Sequence, residues 1–118
     1  MIRVEAAGDP SGRLAAVLSD WVTGKGFTVN EKGDMFLAAV MSLAQVKLNN
    51  NYENLNWELN VNLLNSTGYP AVSMSKSERS SGISKSAAES RAYADMAEVI
   101  TRDFDREFNR YLKAFLEK

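Results

Sequence analysis

Leu55-Asn56-Trp57-Glu58-Leu59-Asn60-Val61-Asn62-Leu63 is the stretch on which the fold turns. Apolar side chains hold every second position, and Asn or Glu fills each gap. A period of two is the mark of a β-strand with one face in a core and the other in water. Such a strand needs pairing partners beside it and an apolar layer over Trp57, Leu59, Val61 and Leu63.

The neighbouring sequence supplies the partners. Upstream, Asn49, Asn50 and Asn51 form a polar loop tip, and before it Met35 to Leu48 is open to two readings. Its alanines and leucines, with Asp34 as a cap, suit a helix. The alternation of Val40, Ser42, Ala44, Val46 and Leu48 with Met41, Leu43, Gln45 and Lys47 suits a strand, which is the reading favoured here because Leu55–Leu63 requires a partner. Downstream, Asn65-Ser66-Thr67-Gly68 turns the chain and Tyr69 to Arg79 returns as a third antiparallel strand. At the start of the chain, Ile2, Val4 and Ala6 alternate with Arg3 and Glu5 in a further short strand.

Two segments have helical spacing and supply the covering layer. Asp9-Pro10 resembles a helix start, and Leu14, Val17, Leu18, Trp21 and Val22 follow at intervals of three and four until Gly24 and Gly26 end the pattern. Phe27-Thr28-Val29 is a brief extended piece before a polar turn at Asn30 to Asp34. A second helix begins near Ser84 or Ser86, and Ser86 with Glu89 has capping-box spacing. Its stripe runs through Tyr93, Met96, Ala97, Ile100, Phe104, Phe108, Tyr111, Leu112 and Phe115 without Gly or Pro. The expected architecture is an α+β two-layer sandwich. It consists of an antiparallel sheet of three to five strands, with one early helix and one long C-terminal helix on the same face. Residues 1–118 form one domain, and Trp21 and Leu59 belong to its core.

Composition narrows the function. The chain has 118 residues, 45% of them apolar and 25% charged, which is ordinary globular material for a single core. A net charge of -1 gives no long-range field to gather a nucleic acid or an anionic membrane. There is no cysteine and no histidine. Thiolate chemistry, disulfides, cysteine or histidine metal sites and the commonest general base are thereby removed. The longest apolar run, Met35 to Met41, falls far short of the roughly 20 residues of a membrane helix. No transmembrane segment, cofactor or metal is expected, and no enzyme activity.

The remaining motifs have plain structural explanations. Gly24-Lys25-Gly26 closes a helix, whereas a phosphate-binding glycine loop opens one. Ser73 and Lys76 match a catalytic Ser-x-x-Lys by letter, but on a strand they point to opposite faces. Asp103, Asp105 and Glu107 alternate with Arg102, Arg106 and Arg110 in the pattern of a solvated helix face. Asn65-Ser66-Thr67 is a glycosylation sequon that a hairpin turn explains equally well. An early helix, a meander and Gly82-x-Ser84-Lys85 leading into Ala87 and Ala88 resemble a double-stranded-RNA-binding domain. Lys85 nevertheless stands nearly alone where that family clusters lysines on phosphates.

From Asp34 onward another resemblance has wider coverage, about two thirds of the chain. Gly33-Asp34-Met35-Phe36-Leu37 leads into a long strand, and Leu63-Leu64-Asn65-Ser66-Thr67-Gly68 ends one. Val72-Ser73-Met74-Ser75-Lys76 is a serine-rich return strand. Gly82 and Ser84 open a helix with Ala88, Ala92 and Ala97. In this order the motifs resemble a family of small bacterial envelope domains. These include the amino-terminal domain of TolB, the LPS-assembly lipoprotein, curli-secretion-type lipoproteins and flagellar periplasmic proteins. The resemblance implies a scaffolding or interaction domain acting through protein or lipid contacts, with no catalytic residues. It implies a periplasmic or outer-membrane-associated place for a chain whose leader has been removed. Met1-Ile2-Arg3-Val4-Glu5 has neither the basic-then-apolar pattern of a leader nor a lipid-bearing cysteine, so the cytoplasm is expected otherwise.

A helix from Ser84 to Leu116 would be about 50 Å long, against about 33 Å for a ten-residue strand. The stripe at Phe104, Phe108, Tyr111, Leu112 and Phe115 therefore outruns the sheet. Either the helix kinks so that the first helix covers it, or these residues bind a protein partner or a second copy.

Overall fold

A computed structural model describes residues 2–9, 12–30, 33–47 and 51–116, without the side chains of 115 and 116. The alternating sequences form the strands β1 (Ile2–Ala7), β2 (Met35–Val46), β3 (Glu53–Leu64) and β4 (Pro70–Gly82). The segments of helical period form α1 (Arg13–Gly24), α2 (Lys85–Val99) and α3 (Asp105–Leu116), the last two joined by a π-helical turn at Ile100–Phe104. The strands lie in the order β1-β2-β3-β4 as one sheet. Strand, and not helix, is thus the outcome for Met35–Val46.

The sheet departs from the expectation in one detail. β2–β3 and β3–β4 are antiparallel, but β1 pairs with β2 in parallel, Ile2 opposite Met35 and Ala7 opposite Val40. The cause is α1. A strand–helix–strand path carries the chain back to its starting end before the next strand begins, and only a parallel pairing can follow. Gly8 permits the sharp exit from β1. It has φ 77°, and a Cβ there would stand 2.1 Å from the Met41 carbonyl oxygen.

Every second residue of each strand faces the helices. Trp57, Leu59, Val61 and Leu63 of β3 are all buried, as are Leu37, Ala39 and Met41 of β2. They meet Leu14, Leu18, Trp21 and Val22 of α1 and Ala92, Met96, Ile100 and Phe104 of the C-terminal helices. Trp21 and Leu59 are buried as expected, at 8% and 0% exposure. Two polar residues, Asn54 and Ser80, are buried among the described residues, and both are partnered; Asn54 donates to the Tyr52 carbonyl (2.9 Å) and accepts from Ser81 (2.6 Å). Trp57 Nε1 donates to Ser80 Oγ (2.9 Å), and Ser80 in turn donates to Asp95 Oδ2 (2.6 Å).

The helix ends follow local chemistry. Gly26 N–H bonds the Thr23 carbonyl and Phe27 N–H the Val22 carbonyl, with Gly26 at φ 90°, so Gly24-Lys25-Gly26 does close α1, in a Schellman arrangement. At its other end Gly12 holds the cap position. Asp9 caps from farther back, its Oδ2 accepting from Ala15 N–H at 3.1 Å, while Pro10 lies outside the described residues. Ser84, not Ser86, caps α2, accepting from Ala87 N–H at 3.1 Å. Its extended backbone (φ -144°) gives it the cap geometry, whereas Ser86 already lies in the first turn. Asn65 shapes the β3–β4 turn, its Oδ1 accepting from the N–H groups of Thr67 and Tyr69. Asn49 and Asn50 of the expected loop tip, and Leu48 at the end of the expected strand, lie outside the described residues.

Candidate interaction surface

The surface expected on the last helix is largely consumed by the domain itself. Phe104 and Phe108 are buried at 0% and 1% exposure. Trp21 of α1 packs edge-on against both rings, at centroid distances of 5.2 and 4.9 Å, and Phe27 meets Phe108 at 6.0 Å. Tyr111 and Leu112 are half-buried at the rim of this cluster. Of Phe115 only the backbone, within α3, is described. The first helix therefore covers the start of the stripe and leaves its end at the surface.

The π turn explains how the stripe stays in register with its cover. Ala88, Ala92, Met96, Ile100, Phe104 and Phe108 recur strictly every four residues and are all buried. In a straight α-helix four residues advance about 40° past a full turn, so five such steps would swing Phe108 about 200° away from Ala88. A π turn holds more residues per turn and takes part of that drift back. Without it Phe108 would face away from α1.

Polar groups then lock α1 to α3. Trp21 Nε1 donates to Asp105 Oδ1 (2.9 Å), Lys25 pairs with Asp105, and Lys25 Nζ donates to Asn109 Oδ1 at 3.0 Å. Burial pulls the Asp105 carboxyl pKa up. The hydrogen bonds from Lys25, Trp21 and Asn109 outweigh it and hold the group below the usual carboxylate range. Asp103 is held low chiefly by a hydrogen bond from Arg102, and Glu107 pairs with Arg110 at 3.3 Å. The three carboxylates thus turn to three different partners, and none aims at a common point where a cation could sit. On β4, Ser73 is exposed on the open face of the sheet, bonded to Asn62, and Lys76 lies on the other face, bridged to Glu78.

What remains unpartnered belongs to the sheet. β4 is an edge strand of 13 residues whose only strand partner among the described residues is β3. Along one end of this edge, Ala71, Val72 and Ser73 with Glu107, Arg110, Tyr111 and Ala114 of α3 enclose a shallow groove. The face opposite the helices has no second layer among the described residues. Across it Ser73 bonds Asn62 and Ser75 bonds Asn60, and at its end Ser81 bonds the buried Asn54, so a ladder of small polar groups ties β4 to β3. Sequence reading identified the alternation that creates this face. It did not single out the β4 edge, although Lys76 and Glu78, two apart on a lone return strand, were the available signal.

No protein-family profile and no curated protein matches the sequence. Solved structures share its fold, bacterial lipoproteins among them. A minor lipoprotein from Acinetobacter baumannii superposes with a TM-score of 0.65 at 15% identity, over 92% of this chain and 93% of that one. The rare lipoprotein B of Shewanella oneidensis gives a TM-score of 0.55 at 10% identity, over 98% and 97%. A lipoprotein of Neisseria meningitidis gives 0.50 at 10% identity, over 85% and 97%. At these identities the likeness is one of fold.

Proposed function

We propose that this chain is a non-catalytic interaction domain of the bacterial cell envelope, acting in the periplasm or at the outer membrane. The observation that carries the proposal is the unpaired edge of β4 bordered by the end of α3. A long strand edge offers a row of backbone donors and acceptors to a partner, and the adjoining groove offers an apolar lodging for a side chain. In this reading Tyr111 contributes to the groove, and Leu112 and Phe115 are further partner-binding residues of the same helix. Phe104 and Phe108 act from beneath, as support. The shared fold of three bacterial lipoproteins supports the envelope setting. Among the described residues no helix is long and apolar enough to cross a membrane. The RNA-binding reading finds less support, since Lys85 leads into Ser86, Ala87, Ala88 and Glu89 rather than into a cationic cluster.

Site-specific photo-crosslinking in a Gram-negative host tests this. A crosslinking side chain replaces Ser77 on β4 or Ala114 on α3, with exposed Asp20 on α1 as the control. Discrete adducts with envelope proteins are expected from the first two positions and not from the third. Equal, unselective labelling at all three would overturn the proposal.

A further inference from the structure

The geometry points to a second copy of this chain as the occupant of the β4 edge, paired with it antiparallel about Ser77. The inference rests on the reading of this edge as a contact surface and names its partner. Lys76 and Glu78 stand two residues apart on the same face of β4, bridged at 3.5 Å and with side chains 37% and 44% exposed. An antiparallel pairing centred on Ser77 sets Lys76 against the second copy's Glu78, and Glu78 against its Lys76. Two opposite charges at symmetric positions make the edge complementary to itself.

Charged residues on an edge commonly serve to repel another strand. A lone lysine does so because its symmetry mate has the same sign. Here each cation would meet an anion, so the same two residues favour the symmetric pair. The flanking charges do not oppose it, because Arg102 and Asp103 on the π turn already bind each other at 3.0 Å. The same register places Ser75 opposite Arg79, Ser73 opposite Ser81 and Val72 opposite Gly82, with no like charges face to face.

A second, separate feature agrees with this register. Ile83, just past β4, is 85% exposed, the most exposed of the large apolar side chains among the described residues. Pairing about Ser77 sets Gly82, the last residue of β4, opposite the second copy's Val72, so Ile83 stands at the end of the junction. Two equivalent exposed isoleucines would then flank the two ends of one junction. The four strands of each copy would join in a continuous sheet.

Sedimentation equilibrium of the whole chain, from about 1 to about 500 µM, is the test. Wild type is expected to dimerise. Lys76→Glu and Glu78→Lys should each weaken self-association by about tenfold or more, since each sets like charges face to face. An equimolar mixture of these two variants should form a heterodimer, and the double exchange should recover the homodimer. Circular dichroism melts check that all variants remain folded. A wild type that stays monomeric at the highest concentration overturns the inference, and so does a mixture of the single variants that fails to pair. Neither result touches the envelope-contact reading, which stands or falls by the crosslinking adducts.

Discussion

Replacing Phe108 with alanine separates a core residue from a docking residue. Phe108 is 1% exposed and lies between the rings of Trp21 and Phe27. Truncating a buried phenylalanine costs about 3–5 kcal/mol through lost transfer energy and the cavity left behind. Two edge-on ring contacts disappear with it, each worth about 0.5–1.5 kcal/mol beyond burial, so the upper half of that range is expected. Domains of this kind are stable by only about 5–15 kcal/mol. With a urea slope of about 1–3 kcal/mol per molar, the unfolding midpoint should fall by about 2 M. Equilibrium urea denaturation followed by tryptophan fluorescence measures this directly, because Trp21 reports the same cluster. Phe108→Leu is the gentler companion, with an expected loss of less than about 2 kcal/mol. A midpoint unchanged by Phe108→Ala would mean that the ring lies outside the core and that the π turn does not hold it against α1.

Ser80→Ala should destabilise by about 1–3 kcal/mol, because the buried Trp57 N–H loses its acceptor; thermal denaturation with Ser80→Thr as a control reads this. Lowering the pH should erode stability through Asp105. Its folded pKa is depressed, so its contribution is present above the unfolded value of about 3.9 and is lost as pH falls through the folded one. Asp105→Asn should flatten that part of the acid limb in urea midpoints taken between about pH 6 and pH 2. Gly8→Ala forces a side chain onto the Met41 carbonyl at a positive φ, and a loss of more than about 1 kcal/mol is expected in urea unfolding.

The strands were legible because burial on one face imposes a period of two, and Leu55 to Leu63 follow it without a break. The edge pairing of β1 was not, since Ile2, Val4 and Ala6 show which side is buried and nothing about direction; the intervening helix decides that. Ser84 and Ser86 offer nearly the same capping chemistry, and only the backbone of Ser84 chooses between them. The last helix is the instructive case. Spacings of three and four suggested one long α-helix whose stripe outruns its cover. The strict interval of four from Ala88 to Phe108 was the overlooked signal, because a regular α-helix cannot keep that interval on one side. Of the two readings open for the stripe, cover by the first helix holds for Phe104 and Phe108, while Tyr111 and Leu112 stay half-buried.

The π turn also divides the C-terminal helix into two units of unequal tenure. α2 lies under β3 and β4 and its buried residues belong to the central core. α3 is held by Phe108 with Tyr111 and Leu112 at the rim, by the polar contacts of Trp21 and Lys25 with Asp105 and Asn109 in its first turns, and by one flank of β4. A helix packed on the rim of the core rather than beneath the sheet can lift while the remainder stays folded. Backbone amides of α3 should then exchange with solvent deuterium through this partial opening, faster than those of α2, which wait for global unfolding. The boundary between the two rates should fall within Ile100–Phe104.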